Sequence, residues 1–378
     1  MKNTNVHQKT SLIITLILYL LISVPNLFAQ PSLKEVFKDY YLIGTAMNNY
    51  QVQGNDAAVL ELVKNQFNIV TPENALKWEG IHPKPDVYNF EPVDSLVAFC
   101  ERNNILVIGH TLVWHSQTPA WVFEDEEGNP ATRELLLNRM KDHISTVVGR
   151  YKGRILGWDV VNEAFMEDGK LRESKWHKIT GDDFIEKAFQ FAFEADPDAE
   201  LYYNDYNMYH EGKVKGVVEY ISKIKSKGVK VDGIGLQGHW GLDYPKLEEL
   251  DMAMKAYSEL GVNLMITELD MDILPSAWNY TGAEISQNYE LRKELNPYPD
   301  SLPDSMQTVE ANRYAEFFKI FNKYKDNVSR VTFWGVNDTY SWRNHWPVRG
   351  RSAYPLLFDK NFQPKPAFYE VIKTVADK

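Results

Sequence analysis

Cysteine is almost missing from this chain: Cys100 is the only one in 378 residues. A lone thiol excludes an intrachain disulfide framework. Stability must then come from a packed core, and the length allows one large domain or two ordinary ones. Cys100 itself lies in a segment with helical apolar spacing (93–103) and reads as a small buried hydrophobe, not a nucleophile. Long apolar runs are also scarce. The one that exists, Ser11 to Val24, is about 14 residues long, short of the ~20 that a spanning helix needs. Lys2 and Lys9 precede it, and Leu27-Phe28-Ala29 ahead of Gln30-Pro31 offers a cleavage point, so residues 1–29 read as a secretory signal. Residues 30–378 are then the mature chain, expected in the periplasm or outside the cell, with no membrane span after cleavage. No cysteine lies near the cleavage point, so a lipid anchor there has no support.

Positive charge is in deficit. Basic residues number 41 against 52 acidic ones, a net charge of -11. Residues 1–29 hold two of the lysines and no acid, so the mature chain is more negative still, which argues against nucleic acid as a partner. Three motifs are absent as well. Gly44-Thr45-Ala46-Met47 is not the glycine-rich turn of a dinucleotide fold. No His-x-His ends the first strand and no His-Glu-x-x-His occurs, so a metal-dependent hydrolase is disfavoured. Neither a cofactor nor a metal is expected. No internal repeat or low-complexity linker divides the chain.

What the chain does have is a regular alternation. Short apolar runs at 41–45, 68–71, 106–111, 155–161, 200–204, 233–237, 263–267 and 331–334 are separated by amphipathic stretches at 56–66, 93–103, 132–151, 183–196, 212–227, 245–260 and 306–325, with a last one at 366–376. Strands spaced by helices imply right-handed parallel crossovers. Eight such units predict a single closed (β/α)8 barrel, with any active site at the C-terminal ends of the strands. The connection from Met271 to about Ser305 is oversized. It carries Pro275, Pro297, Pro299 and Pro303 together with Trp278, Tyr280, Tyr289 and Tyr298, and a loop of that length in a compact domain is usually functional.

Polar and indole groups cluster where the barrel requires a site. The second run passes into Glu73, Asn74 and Lys77, the third into His110, Trp114 and His115. The fourth ends in Asn162-Glu163, the fifth in Asn204-Asp205-Tyr206-Asn207, the sixth in Gln237-Gly238-His239-Trp240, the seventh in Glu268-Leu269-Asp270. The eighth ends in Trp334, with Asn337, Asp338 and Trp342 close behind. Two of these runs, 155–163 and 263–268, close on a glutamate, and burying a carboxylate at a strand end is costly without hydrogen bonds or a shifted pKa. A pair of carboxylates across a cleft is what glycosidic hydrolysis needs, one to protonate the leaving oxygen and one to attack the sugar. Exposed Trp and Tyr suit the apolar faces of sugar rings. A non-catalytic sugar-binding protein would keep the tryptophans but would not need both glutamates.

Four stretches, Trp158-Asp-Val-Val-Asn-Glu163, Ile266-Thr-Glu268-Leu-Asp270, Gly109-His-Thr-Leu-Val-Trp-His115 and Glu73-Asn-Ala-Leu-Lys-Trp78, resemble the motifs of family 10 glycoside hydrolases, the endo-1,4-β-xylanases. The resemblance spans roughly residues 38–376. It implies a retaining enzyme acting on xylan and xylo-oligosaccharides, with Glu163 as acid/base and Glu268 as nucleophile. It further implies sugar contacts from Asn162, His110, Lys77 and Gln237, a neighbouring subsite at Glu73 and Asn74, and aromatic walls from Trp114, Trp334 and Trp342. His239 and Asp270 are implied as a relay beside the nucleophile, with Asp270 expected to fix the His239 tautomer. A monomer is expected. Activity on β-1,4-glucans is the alternative within the family, decided by room for a C6 hydroxymethyl near Trp334, Trp342 and Lys77. Of three sequons, at Asn279, Asn327 and Asn337, the last lies beside the expected site.

Overall fold

The apolar runs form strands that are covered on both faces, as parallel strands generally are. The computed structural model describes residues 31–276 and 289–376. Its strands are β1 (Leu42–Met47), β2 (Ile69–Pro72), β3 (Leu106–Trp114), β4 (Gly157–Asn162), β5 (Glu200–Asp205), β6 (Gly233–Leu236), β7 (His239–Gly241), β8 (Asn263–Asp272) and β9 (Val328–Phe333). Strands β1 to β6 pair in chain order, β9 lies between β1 and β8, and a direct β6–β8 pairing closes the eight-stranded barrel. Every pairing in the barrel is parallel. The crossover helices are α1 (Ala57–Gln66), α2 (Glu91–Arg102), α3 (Arg133–Arg150), α4 (Phe184–Ala195), α5 (Glu211–Ser226), α6 (Leu247–Ser258), α7 (Asp304–Lys323) and α8 (Pro366–Ala376).

Local chemistry sets these helices. Asp56 caps α1 by accepting from the Ala58 and Val59 N–H groups, both at 3.1 Å, and Thr132 caps α3 through Leu135 N–H at 3.2 Å. On α3 the buried residues Leu136, Met140, His143, Ile144, Val147 and Val148 recur at helical spacing and face the barrel. Cys100 lies buried on α2, and burial pushes its thiol up to about 12, so it is a packing residue. Inside the barrel, size is matched across neighbours: a Cβ at Gly109 would stand 2.1 Å from the Trp158 ring. Ile69, Ile108, Tyr202 and Met265 fill one interior cluster. The Arg330 guanidinium sits 4.7 Å over Tyr202 and 3.7 Å from Asp159.

The expected (β/α)8 barrel is present, with differences at three strand ends. β3 runs on to Trp114 and β8 to Asp272, so both reach further over the cleft than their apolar cores suggest. β7 is an added element. Gly238, at φ +85°, breaks the chain after β6, and His239 restarts as a short strand whose register sets His239 opposite Asp270. The oversized connection accordingly starts after β8. Its described part holds a short helical turn, Lys293–Leu295, and docks on the 347–354 segment. Tyr289 N–H bonds Pro347 O at 2.8 Å, and Tyr354 Oη bonds Tyr298 O at 2.7 Å. Residues 277–288, with Trp278, Tyr280 and the Asn279 sequon, lie outside the described residues, as do residues 1–30. The Asn337 side chain is buried. Among the described residues no helix is long and apolar enough to cross a membrane.

Candidate active site

The C-terminal ends of the strands open into a cleft of about 590 Å³. Glu73, Asn74, Lys77, His110, Trp114, Asn162, Glu163, Gln237, His239, Glu268, Trp334 and Trp342 all line it; Asp270 lies behind, fully buried. These residues converge on one place; His115, Trp240, Asn337 and Asp338, also noted at the strand ends, are not among those that line the cleft.

Glu163 follows β4 and Glu268 lies within β8, and both carboxyls are nearly buried at 6% and 4% exposure. A continuous hydrogen-bond chain joins them. Gln237 Nε2 donates to Glu163 Oε1 at 2.9 Å and to Asn162 Oδ1 at 3.2 Å. Asn204 Nδ2 donates to the same Asn162 Oδ1 at 3.0 Å and to Glu268 Oε1 at 2.8 Å. The second oxygen of Glu163 accepts from Trp114 Nε1 at 2.9 Å. Thr267 Oγ1 donates to Asn204 Oδ1 at 2.6 Å. Consecutive residues Thr267 and Glu268 thus reach one asparagine. A register shift between Ile266 and Leu269 makes this possible by interrupting the strand alternation.

Glu268 is held ionised. Burial alone would raise its carboxyl, but the hydrogen bond from His239 and the neighbouring His110, His239 and Lys77 side chains outweigh burial and place it below its usual range. His239 Nε2 lies 3.2 Å from Glu268 Oε2 and Nδ1 lies 2.9 Å from Asp270 Oδ1. Burial opposes a charge on this ring, yet the two carboxylates raise it to about 9. Asp270 thus sits against His239 Nδ1, where a carboxylate favours a proton on that nitrogen. It is suited to this, because Arg343 and His239 overcome burial and hold its carboxyl at about 2. Arg343 donates to it at 2.8 Å and Trp342 Nε1 at 2.6 Å.

One wall carries the remaining polar groups. Lys77 Nζ donates to Asn74 Oδ1 at 3.0 Å, and Asn74 Nδ2 to Glu73 Oε1 at 3.1 Å. Burial pushes the Glu73 carboxyl up despite Lys77, and burial lowers the Lys77 ammonium against the pull of Glu73, Glu268 and Glu163. His110 is fixed by Asp159, Nδ1 to Oδ2 at 3.0 Å, across a register that pairs the two residues. The indoles complete the walls: Lys77 sits 4.9 Å over the Trp114 ring, the His110 and Trp334 rings meet edge-on at 5.3 Å, and Trp342 stacks on Trp346 at 4.8 Å.

The family model of glycosyl hydrolase family 10 matches residues 32–374. The chain belongs to that family. It is 48% identical over 344 residues to an endo-1,4-beta-xylanase A of Xylanibacter ruminicola, covering 91% of this chain and 93% of the relative. It is 44% identical to a beta-1,4-xylanase of Dictyoglomus thermophilum, covering 97% and 99%. A solved GH10 endoxylanase retrieved from a sugarcane soil metagenome superposes with a TM-score of 0.88 at 43% identity, covering 90% of this chain and 99% of that one.

The family 10 cleft also contains residues that the sequence analysis did not select. Asn204 was noted only as part of a polar strand end, although it touches both Asn162 and Glu268. A buried amide beside a carboxylate looks like any loop asparagine until the barrel closes. Trp346, Tyr244, Arg343 and Arg351 also line the cleft. They come from loops whose apolar pattern carries no period, so nothing in the local sequence marked them.

Proposed function

We propose that this chain is a retaining endo-1,4-β-xylanase, hydrolysing internal β-1,4-xylosidic bonds of xylan and xylo-oligosaccharides. The observation that carries the reading is the pair Glu163 and Glu268, two near-buried carboxyls on one cleft, joined by one hydrogen-bond chain through Gln237, Asn162 and Asn204. Glu268 attacks the anomeric carbon as Glu163 passes its proton to the departing glycosidic oxygen, giving a glycosyl-enzyme ester. Glu163, now a carboxylate, takes a proton from water, and the resulting oxygen displaces Glu268 at the same carbon. Two inversions leave the β configuration.

The other side chains orient the sugar. Asn162, held by Gln237 and Asn204, is placed to meet the 2-hydroxyl of the sugar being cleaved. His110, Lys77 and Gln237 supply further contacts, and Glu73 and Asn74 serve the next ring on the non-reducing side. Trp114, Trp334 and Trp342 pack against ring faces. Xylan as the substrate is supported by the xylanase names of the similar proteins. Export is supported by residues 1–29, read as a signal, and the mature enzyme is proposed to act as a monomer outside the cytoplasm.

Proton NMR of xylohexaose hydrolysis tests the reading. The first-formed reducing ends should be β, with internal cleavage, and turnover on a β-1,4-glucan should be much slower. First-formed α anomers would reject a double displacement, and preferential turnover of the glucan would reject the substrate.

A further inference from the structure

The turn that carries Glu163 is tied down from behind the cleft. Glu163 has a left-handed backbone at φ 58°, which a non-glycine residue keeps only when its surroundings enforce it. Its N–H donates to Asn204 O at 2.9 Å, and its carbonyl accepts from Arg172 Nε at 3.0 Å. The next two N–H groups run to side chains of β5: Ala164 N–H to Tyr203 Oη at 3.1 Å, and Phe165 N–H to Asp205 Oδ2 at 3.3 Å. The Tyr203 hydroxyl donates to the same Asp205 oxygen. The other Asp205 oxygen accepts from Lys213 Nζ at 3.0 Å, in an ion pair with no exposure on either side.

A second, independent contact holds the same segment. The chain beyond Glu163 folds into a tight hairpin in which Phe165 pairs with Leu171. That hairpin lies directly on α5, at the two glycines that flank Lys213. A Cβ at Gly216 would stand 2.1 Å from Gly169 O, and one at Gly212 2.6 Å from Glu167 O. A buried ion pair is weak evidence for stability, because an apolar pair would often serve as well. Here its hydrogen bonds are directed at one turn, the one that bears a cleft carboxyl.

We propose that Tyr203, Asp205 and the Gly212–Lys213–Gly216 face of α5 are positioning residues for Glu163, fixing the turn that aims its carboxyl at the glycosidic oxygen. The inference rests on the assignment of Glu163 as acid/base. It predicts a defect confined to the proton-transfer steps, leaving the attack by Glu268 intact.

Tyr203→Phe removes one hydroxyl and tests this. On xylotetraose, whose leaving group needs a proton, kcat/KM should fall by about tenfold to a hundredfold, the cost of a small misplacement. On 2,4-dinitrophenyl β-xylobioside, whose leaving group needs none, kcat/KM should stay within about twofold of the parent. On that substrate kcat and KM should fall together, since Glu163 must still activate water, and azide should restore kcat. Gly216→Ala, which reaches the turn from the helix side, should give the same split and serves if the first variant does not fold. Equal losses on both substrates would mean a general packing role, and no loss on xylotetraose would mean no role; either result overturns the inference. Failure of the underlying reading would show separately, as the absence of the same split in Glu163→Ala.

Discussion

At the residue scale the account turns on how Glu268 is kept anionic. His239 lies within hydrogen-bond distance of it through Nε2 and of Asp270 through Nδ1, and the two carboxylates raise the ring to about 9 against the pull of burial. A hydrogen bond to a charged group is worth about 1.5–3 kcal/mol, and one pKa unit is about 1.4 kcal/mol. His239→Ala should therefore raise the acidic limb of the pH–rate profile by about one to two units: with less stabilisation of the anion, Glu268 takes up its proton at higher pH. Asp270→Asn should move the limb the same way by less, and the two changes should not add, since both act through one chain of bonds. A pH–rate profile with an unshifted acidic limb in folded His239→Ala would remove His239 from the mechanism. The raised value of His239 also sets a stability window. A group whose folded pKa lies above its unfolded value contributes fully below about 6.5, and loses that contribution as pH rises through about 9.

Also at this scale, Glu163→Ala should lose most of its activity on xylan but little kcat/KM on dinitrophenyl xylobioside, and azide should yield a β-glycosyl azide. An α product would mean direct displacement without Glu268. Both glutamates were legible in the sequence because a carboxylate closing an apolar run has few structural explanations. Asn204 was not, because its role depends on the strand bulge at Thr267–Glu268, and a bulge has no sequence period.

At the scale of elements, the wall bearing Glu73, Asn74 and Lys77 rests on an aromatic stack just beneath it. The Trp78 ring lies 3.7 Å from His143 on α3, and His82 lies 3.9 Å from Tyr88. The two imidazoles meet Nδ1 to Nδ1 at 3.1 Å, a bond that needs at least one neutral ring. Burial lowers His82 to about 4 and His143 well below its usual value. These groups are depressed on folding, so the unfolded chain binds more protons as pH drops from about 6.5, and stability falls with each step toward about 4. Thermal unfolding followed from pH 7 to 4.5 should show that loss. His82→Phe should make the slope shallower by up to about 1.4 kcal/mol per pH unit, the equivalent of one proton. An unchanged slope would mean the pair does not titrate in this range. The elements themselves were read well where periodicity is strong: each of the eight expected helices is found within two residues at either end. The misses, β7 and the extensions of β3 and β8, are segments in which core residues such as Leu112, Val113, Trp240, Leu269 and Met271 are interleaved with cleft residues such as Trp114, His239 and Glu268, so the apolar run that marks a strand is interrupted.

At the scale of the whole molecule, the barrel brings Glu163 at the end of β4 and Glu268 on β8 to one cleft and spans the gap with Asn204 from β5 and Gln237 after β6. The chain of bonds crosses four neighbouring strands, so the distance between the two carboxyls is a property of barrel closure and not of any one loop. A retaining reaction needs that distance near ~5–5.5 Å and a covalent ester in its course. Trapping that ester is the most direct test. Incubation with 2,4-dinitrophenyl 2-deoxy-2-fluoro-β-xylobioside should add one glycosyl group to the intact protein, and peptide mapping by mass spectrometry should place it on Glu268. Modification of any other residue, or inactivation with no covalent adduct, would contradict the account.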